Sequence, residues 1–352
     1  MDKRFVGLGL TALRNNFAAL KRPYKLTFSV TYRCQSRCLT CNIWQLKPAG
    51  ELSLDEIGEF ARKNPHFRWI EITGGEPFLR SDIVDIVRAF REHSNGLYLL
   101  TMPTNSLINK DLLLRNISAM LELGIPRISI TVSLDGYREL HDRIRGIPGN
   151  FDRAISLYKG IAELRKERRN LFSVFGYTMS RYNAGMFGKT YEEVKKEIPE
   201  IRYNDFHINA AQTSEIYYKN SGMDIRSENR AMADEIRSVL KRRSFEIGAI
   251  PQIEGVFLRK LVGYLMTNRS PMRSRSLDAS LFLDSYGNVY PSIMWSRKIG
   301  NIREAQYSLD GIWENEEAGE VRRLIREGRE PSCWTACEAY QSIVGNIKSL
   351  LV

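Results

Sequence analysis

Cys34, Cys38 and Cys41 put three thiols within eight residues of one predicted loop. Thiolates at that spacing can hold metal. Zinc sites usually need four ligands and often use paired CxxC units, and the nearest histidine, His66, lies beyond a predicted helix. A three-cysteine loop with no nearby fourth ligand suits a [4Fe–4S] cluster with one iron left open. Spacing alone leaves zinc and structural thiols as alternatives. The chain has only five cysteines in 352 residues. A secreted disulfide framework would spread and pair them, whereas a tight cluster in a cytosolic protein points to metal or to chemistry.

The elements that must position this loop read as about six β-then-α units. Strands are predicted at 25–31, 67–73, 97–103, 127–135, 171–179 and 205–210. Ser53, with Glu56 three residues on, is the N-cap of the first intervening helix. Further helices are predicted at 82–93, at 110–122 with a stop at Gly124, at 151–167 and at 189–198. Alternation of this kind implies a parallel sheet with right-handed crossovers. The strands are rich in Ile, Val, Phe and Leu, as when both faces are covered. In such folds ligands bind at the C-terminal ends of the strands. The cysteine loop, Gly74-Gly75-Glu76-Pro77, Thr104-Asn105 and Ser133-Leu134-Asp135-Gly136 all follow strand C-termini, so four unusual loops are expected on one rim.

CxxxCxxC after a first strand resembles the defining motif of radical S-adenosylmethionine (SAM) enzymes. Gly74–Pro77 resembles that family's GGEP motif, and Thr104-Asn105 its TN element. Ser133–Gly136, with His141-Asp142 and Arg145-Gly146 downstream, is similar to the fourth-strand segment of members that carry SPASM or twitch extensions. The resemblance covers about 25–215 well. It implies a partial (β/α)6 barrel with a smaller C-terminal α+β extension. It also implies an iron–sulfur cluster on Cys34, Cys38 and Cys41 whose open iron chelates SAM. One electron, from a donor such as flavodoxin or ferredoxin, would then cleave SAM to methionine and a 5′-deoxyadenosyl radical that abstracts hydrogen. Gly74, Gly75, Glu76, Thr104, Asn105, Ser133 and Asp135 are the expected SAM contacts. Arg145, with Arg143 as its competitor, is expected at the SAM carboxylate, and Asn42 and Trp44 near the adenine. Thr40 stands where many members have an aromatic before the third cysteine.

Beyond residue 215 the alternation stops. Residues 227–268 read as helical, 281–295 as a hairpin turning at Tyr286-Gly287-Asn288, and 309–327 and 337–350 as helices. The division expected is a basic amphipathic segment over 1–22, a core over 23–215 and a twitch-like domain over 216–352. Relatives with such domains place a cysteine after a Tyr-Pro pair, but here Tyr290-Pro291 is followed by Ser292. A second cluster on Cys333 and Cys337 is therefore not expected.

The net charge is +11, with Lys and Arg scattered. No nucleic-acid module is recognisable, so no nucleic acid is expected as partner. No apolar run approaches the length of a membrane span, and the N-terminus lacks a secretory signal, so a cytoplasmic location is expected. Phe5, Leu8, Leu13, Phe17 and Leu20 fall roughly on one helical face, near Lys3, Arg4, Arg14, Lys21 and Arg22. Ile343, Val344, Ile347, Leu350 and Leu351 form a second stripe, near Lys348. Both are expected to pack on the protein's own core. Basic amphipathic helices also lie on anionic membranes, and peripheral contact would favour a lipid or polyisoprenoid substrate over a peptide or small metabolite. His207 and Asn209 are candidates to face that substrate. The competing class is a non-catalytic iron–sulfur or zinc scaffold, which accounts for three cysteines but not for the motifs at successive strand ends.

Overall fold

Ser53 opens the first crossover helix as its sequence predicts. Its Oγ accepts the Glu56 N–H at 3.2 Å, while Glu56 Oε2 accepts the Ser53 N–H at 2.9 Å, closing a capping box. The computed structural model describes residues 2–347. Lys348, Leu350 and Leu351 of the expected second stripe lie outside the described residues.

Helix α1 (Lys3–Arg14) precedes strand β1 (Lys25–Thr31). Then follow α2 (Leu54–Lys63), β2 (Trp69–Gly74), α3 (Ile83–His93), β3 (Leu99–Thr104), α4 (Lys110–Leu121), β4 (Arg127–Ser133), α5 (Arg138–Arg145), α6 (Asn150–Glu167), β5 (Leu171–Met179), α7 (Phe187–Glu197) and β6 (Phe206–Ala210). β1 to β6 pair in sequence order, all parallel. Helices α8 (Asn229–Arg242) and α9 (Ala249–Thr267) lead to β7 (Ser280–Leu283), β8 (Asn288–Tyr290) and β9 (Gly300–Asn301). Helices α10 (Asp310–Trp313), α11 (Glu316–Arg326) and α12 (Ala336–Val344) complete the described chain. β7 adds to β1 in parallel, so the sheet order is β6-β5-β4-β3-β2-β1-β7-β8-β9. The segment after residue 215 therefore extends the same hydrogen-bonded sheet. The architecture is an α/β partial barrel that does not close.

The two faces of the sheet are not equally covered. β1 is buried throughout. In β4 to β6 burial alternates strictly: Ile128, Ile130, Val132, Phe175, Phe206 and Ile208 are fully buried, while Ser129, Thr131, Val174, His207 and Asn209 are half-buried. The helices between the strands cover the outer face fully, whereas the concave face of the unclosed sheet is covered only in part.

Several local expectations are refined or corrected. Residues 227–268 are helical as expected, in two helices. They break before Gly248, and Pro251 sits in the first turn of α9, where its missing N–H has no intrahelical acceptor. Residues 309–327 likewise split into α10 and α11. The short α5 has no counterpart in the sequence reading. At the N-terminus α1 stops at Arg14, and turns carry the chain onward. The expected single face also divides within α1 itself. Phe5 packs on Tyr98, and Leu8 and Leu20 pack around Ala12 and Tyr24, but Leu13 and Phe17 are exposed.

Candidate active site

The loops after β1, β2, β3, β4 and β6 enclose one cavity of about 210 Å³ at the C-terminal ends of the strands. Its wall includes Cys34, Cys38 and Cys41, together with Gly74, Gly75, Glu76, Thr104, Asn105, Ser133, Asp135 and Arg145. The four motif-bearing loops named from the sequence thus meet in one place.

The cysteine loop is held by backbone contacts that its own sequence does not announce. The N–H groups of Arg37 and Leu39 donate to the carbonyls of Arg145 and Ile144, at the end of α5. Gly146 terminates that helix at φ +68°, and a Cβ there would come within 2.7 Å of the Arg37 carbonyl oxygen. From the other side Asn220 Nδ2 donates to Thr40 O at 2.8 Å, and the Asn42 N–H to Tyr218 O at 2.8 Å. Gly75 closes the fit. Its N–H donates to Thr31 O at 2.8 Å, and a Cβ would overlap the Arg33 carbonyl and reach 2.9 Å from Cys34 Cβ.

Glu76 and Asn105 link the second and third loops. Glu76 Oε2 accepts the Asn105 N–H at 2.7 Å, and Asn105 Nδ2 lies 3.3 Å from Gln35 Oε1 and 3.7 Å from Cys34 Sγ. Burial pushes the Glu76 carboxyl up to about 7. In the fourth loop, Asp135 Oδ1 accepts the Thr178 N–H at 2.8 Å and Oδ2 pairs with Arg145 Nε at 2.6 Å. Arg145 Nη1 in turn lies 3.8 Å from Cys38 Sγ, and it is the one basic side chain on the cavity wall among the described residues. Arg143 is exposed, so of the two competing arginines only Arg145 lines the cavity.

Two expected positions fare differently. Trp44 lines the cavity beside Cys41 and donates its Nε1–H to the Cys41 carbonyl at 3.0 Å. Asn42 does not line it: its amide is taken by Lys219 O at 3.1 Å and Met223 Sδ at 3.3 Å. Unforeseen on the wall are Ser36, Thr73, Thr178, Gln212, Tyr217 and Tyr218. The strand-end rule, applied to the residues after β6, would have found the last three.

The wall fits an iron–sulfur cluster. Burial pushes the Cys34 thiol up to about 11 and that of Cys41 to about 12, so thiolates there need a strong local positive charge. Among the described residues no three His, Cys, Asp or Glu side chains converge as a single-ion site. The three thiols instead spread around one cavity, as suits a cubane in which each thiolate holds a different iron. Ser36 Oγ is buried on this wall with no hydrogen-bond partner, leaving a donor for a group placed among the sulfurs. Cys333 lies near Ser270 and Glu330, and Cys337 Sγ meets Glu71 Oε1 at 3.1 Å.

Below the cavity, α12 crosses the concave face. Tyr340 stacks on Trp69 of β2 and reaches His207 of β6. His207 Nδ1 lies 3.2 Å from both Glu254 oxygens, and Tyr340 also donates to Glu254. Nε2 of His207 has no partner and is not buried among the described residues.

Residues 28–198 match the radical SAM superfamily. Over 327 residues the chain is 26% identical to the AdoMet-dependent heme synthase of Methanosarcina barkeri, covering 89% of this chain and 87% of that protein. It is 32% identical over 149 residues to GTP 3′,8-cyclase of Cronobacter sakazakii, spanning 44% of that enzyme's length. The fold is similar to native anSMEcpe with bound AdoMet, with a TM-score of 0.61 at 15% identity, covering 94% of this chain and 97% of that one.

Proposed function

This chain carries a radical SAM domain and is a radical SAM enzyme that works with a [4Fe–4S] cluster and S-adenosylmethionine; on that premise we propose that Cys34, Cys38 and Cys41 hold three irons and that the surrounding wall holds SAM at the fourth. The observation that carries this reading is the meeting of five strand-end loops around three thiols. When bound, cluster and SAM supply a 5′-deoxyadenosyl radical that removes hydrogen from carbon.

The chain's residues divide the remaining work. Gly74 and Gly75 bring backbone up to the methionine end of SAM, and a Cβ on either would collide with the Thr31 or Arg33 carbonyl beside the cysteine loop. Arg145 faces the SAM carboxylate, and Asp135 fixes its orientation. Ser133 offers its hydroxyl to the ribose, and Trp44 lies against the adenine. Thr104 and Glu76 act by placing Asn105: Thr104 Oγ1 accepts the Ser106 N–H at 3.2 Å and Glu76 the Asn105 N–H. Asn42 has its amide committed elsewhere and is left out of this set. The reductant is a small electron carrier of the flavodoxin or ferredoxin kind.

For the substrate, an iron tetrapyrrole is favoured over a peptide, a small metabolite or a lipid. Similarity to a heme synthase runs along nearly the whole chain. His207 supports the choice: a carboxylate on one ring nitrogen, with the other open, is the arrangement of a metal-ligating histidine. Reconstituted enzyme titrated with ferric coproporphyrin is expected to show a ligand-dependent Soret shift. His207→Ala should lose the shift and bind about tenfold more weakly, with its iron–sulfur content unchanged. The same spectrum from both proteins would rule His207 out as ligand. In the same samples, SAM should alter the electron paramagnetic resonance signal of the reduced cluster, and an unaltered signal would count against the open-iron assignment.

A further inference from the structure

The outward face of α1 has no partner among the described residues. Val6, Leu10 and Leu13 recur at helical spacing on that face, and Phe17 follows in the next turn. They are 38%, 53%, 45% and 84% exposed. The opposite face is used: Ala12 is buried against Tyr24 and Ala279, Phe5 packs on Tyr98, and Arg4 Nη1 donates to Gly124 O at 3.0 Å. A helix apolar on both sides has its inward half explained by the core and its outward half by nothing else in the described fold.

Charge decides the occupant. Residues 3–22 hold five Lys and Arg and no Asp or Glu. Arg4 is committed to backbone carbonyls, and Arg22 pairs with Asp310 at 2.7 Å. Lys3, Arg14 and Lys21 are exposed, with no ion pair among the described residues. Lys3 and Arg14 lie beside the apolar stripe on the helix surface. An apolar stripe bordered by unpaired cations complements a lipid surface whose headgroups are anionic. Arg4 and Phe5 of α1 contact the loops that enter β3 and β4, and Ala12 packs on Tyr24 and Ala279 just before β1 and β7, all at the strand ends opposite the cavity, so a surface held there leaves the cavity rim free.

We infer that α1 and Phe17 dock this enzyme on an anionic membrane surface, with the apolar stripe in the headgroup–acyl boundary and Lys3, Arg14 and Lys21 among the phosphates. This goes beyond the catalytic reading and stands whatever the substrate.

The test is co-sedimentation of the full, reconstituted chain with vesicles of phosphatidylcholine, alone or mixed with phosphatidylglycerol. Binding is expected only to the anionic vesicles, weakening as salt is raised. The double variant Leu10→Glu with Phe17→Glu should lower the bound fraction at least about fivefold, with unchanged iron content as evidence of an intact fold. Failure to sediment with anionic vesicles would overturn the inference, as would equal binding by the variant. So would a dimer of the parent chain that the double variant converts to monomer without any vesicle binding, since a second copy would then be the occupant.

Discussion

Replacing Cys38 with alanine is expected to strip the enzyme of its cluster. Reconstituted parent protein should carry about four irons per chain, and the variant fewer than about one. Three protein thiolates are the minimum for a site-differentiated cubane, and Cys38 is the middle thiol of a loop clamped at both sides. Its neighbour Arg145 cannot substitute, because a guanidinium carries only donors. The thiol of Cys38 is itself pushed upward by burial, so without iron it stays protonated and contributes only modest packing. The folded state should survive, and only SAM-dependent chemistry should disappear, by at least about a thousandfold. Cys333→Ser and Cys337→Ser are the matched controls and should leave iron unchanged. A parent protein with about eight irons, halved by either control, would show a second cluster and break the account of the C-terminal cysteines.

Gly75→Ala is expected to be nearly as damaging, although it removes no functional group. A methyl there meets backbone on backbone: the Arg33 carbonyl carbon would lie 2.6 Å away and Cys34 Cβ 2.9 Å away. Neither can swing aside as a side chain tip could. The cysteine loop is also tied to α5 and to Asn220, so the displacement must pass into the geometry of Cys34. A misplacement of about 1 Å at a reacting centre costs on the order of a hundredfold in rate, and that is the loss expected in SAM cleavage. Gly58→Ala in α2, where nothing lies within 4 Å of the added methyl, should cost nothing. Full activity in Gly75→Ala would show that the loop is looser than its hydrogen bonds imply.

What the sequence made legible was local or periodic. The capping box at Ser53 and Glu56 is a pattern of adjacent residues, and the six parallel strands follow from alternation. The strand-end rule was enough to bring the cysteine, Gly74–Pro77, Thr104-Asn105 and Ser133–Gly136 loops together. What escaped was long-range. The bond from Asn220 to Thr40 spans 180 residues, and no local pattern encodes it. Tyr217, Tyr218 and Gln212 follow the last core strand, where periodicity had ended. Asn42 sits beside a cysteine, yet its amide is turned away by Lys219 and Met223. The N-terminal stripe failed for another reason. A helical wheel drawn over 1–22 assumed one continuous helix, whereas α1 ends at Arg14 and is apolar on two sides.

The most direct test of the central claim is to mix anaerobically reconstituted, reduced enzyme with S-adenosylmethionine and quantify products. The expected result is 5′-deoxyadenosine and methionine in equal amounts, abolished by Cys38→Ala. A fully assembled cluster that yields neither product would mean that the cavity around Cys34, Cys38 and Cys41 serves a scaffold and not a radical enzyme.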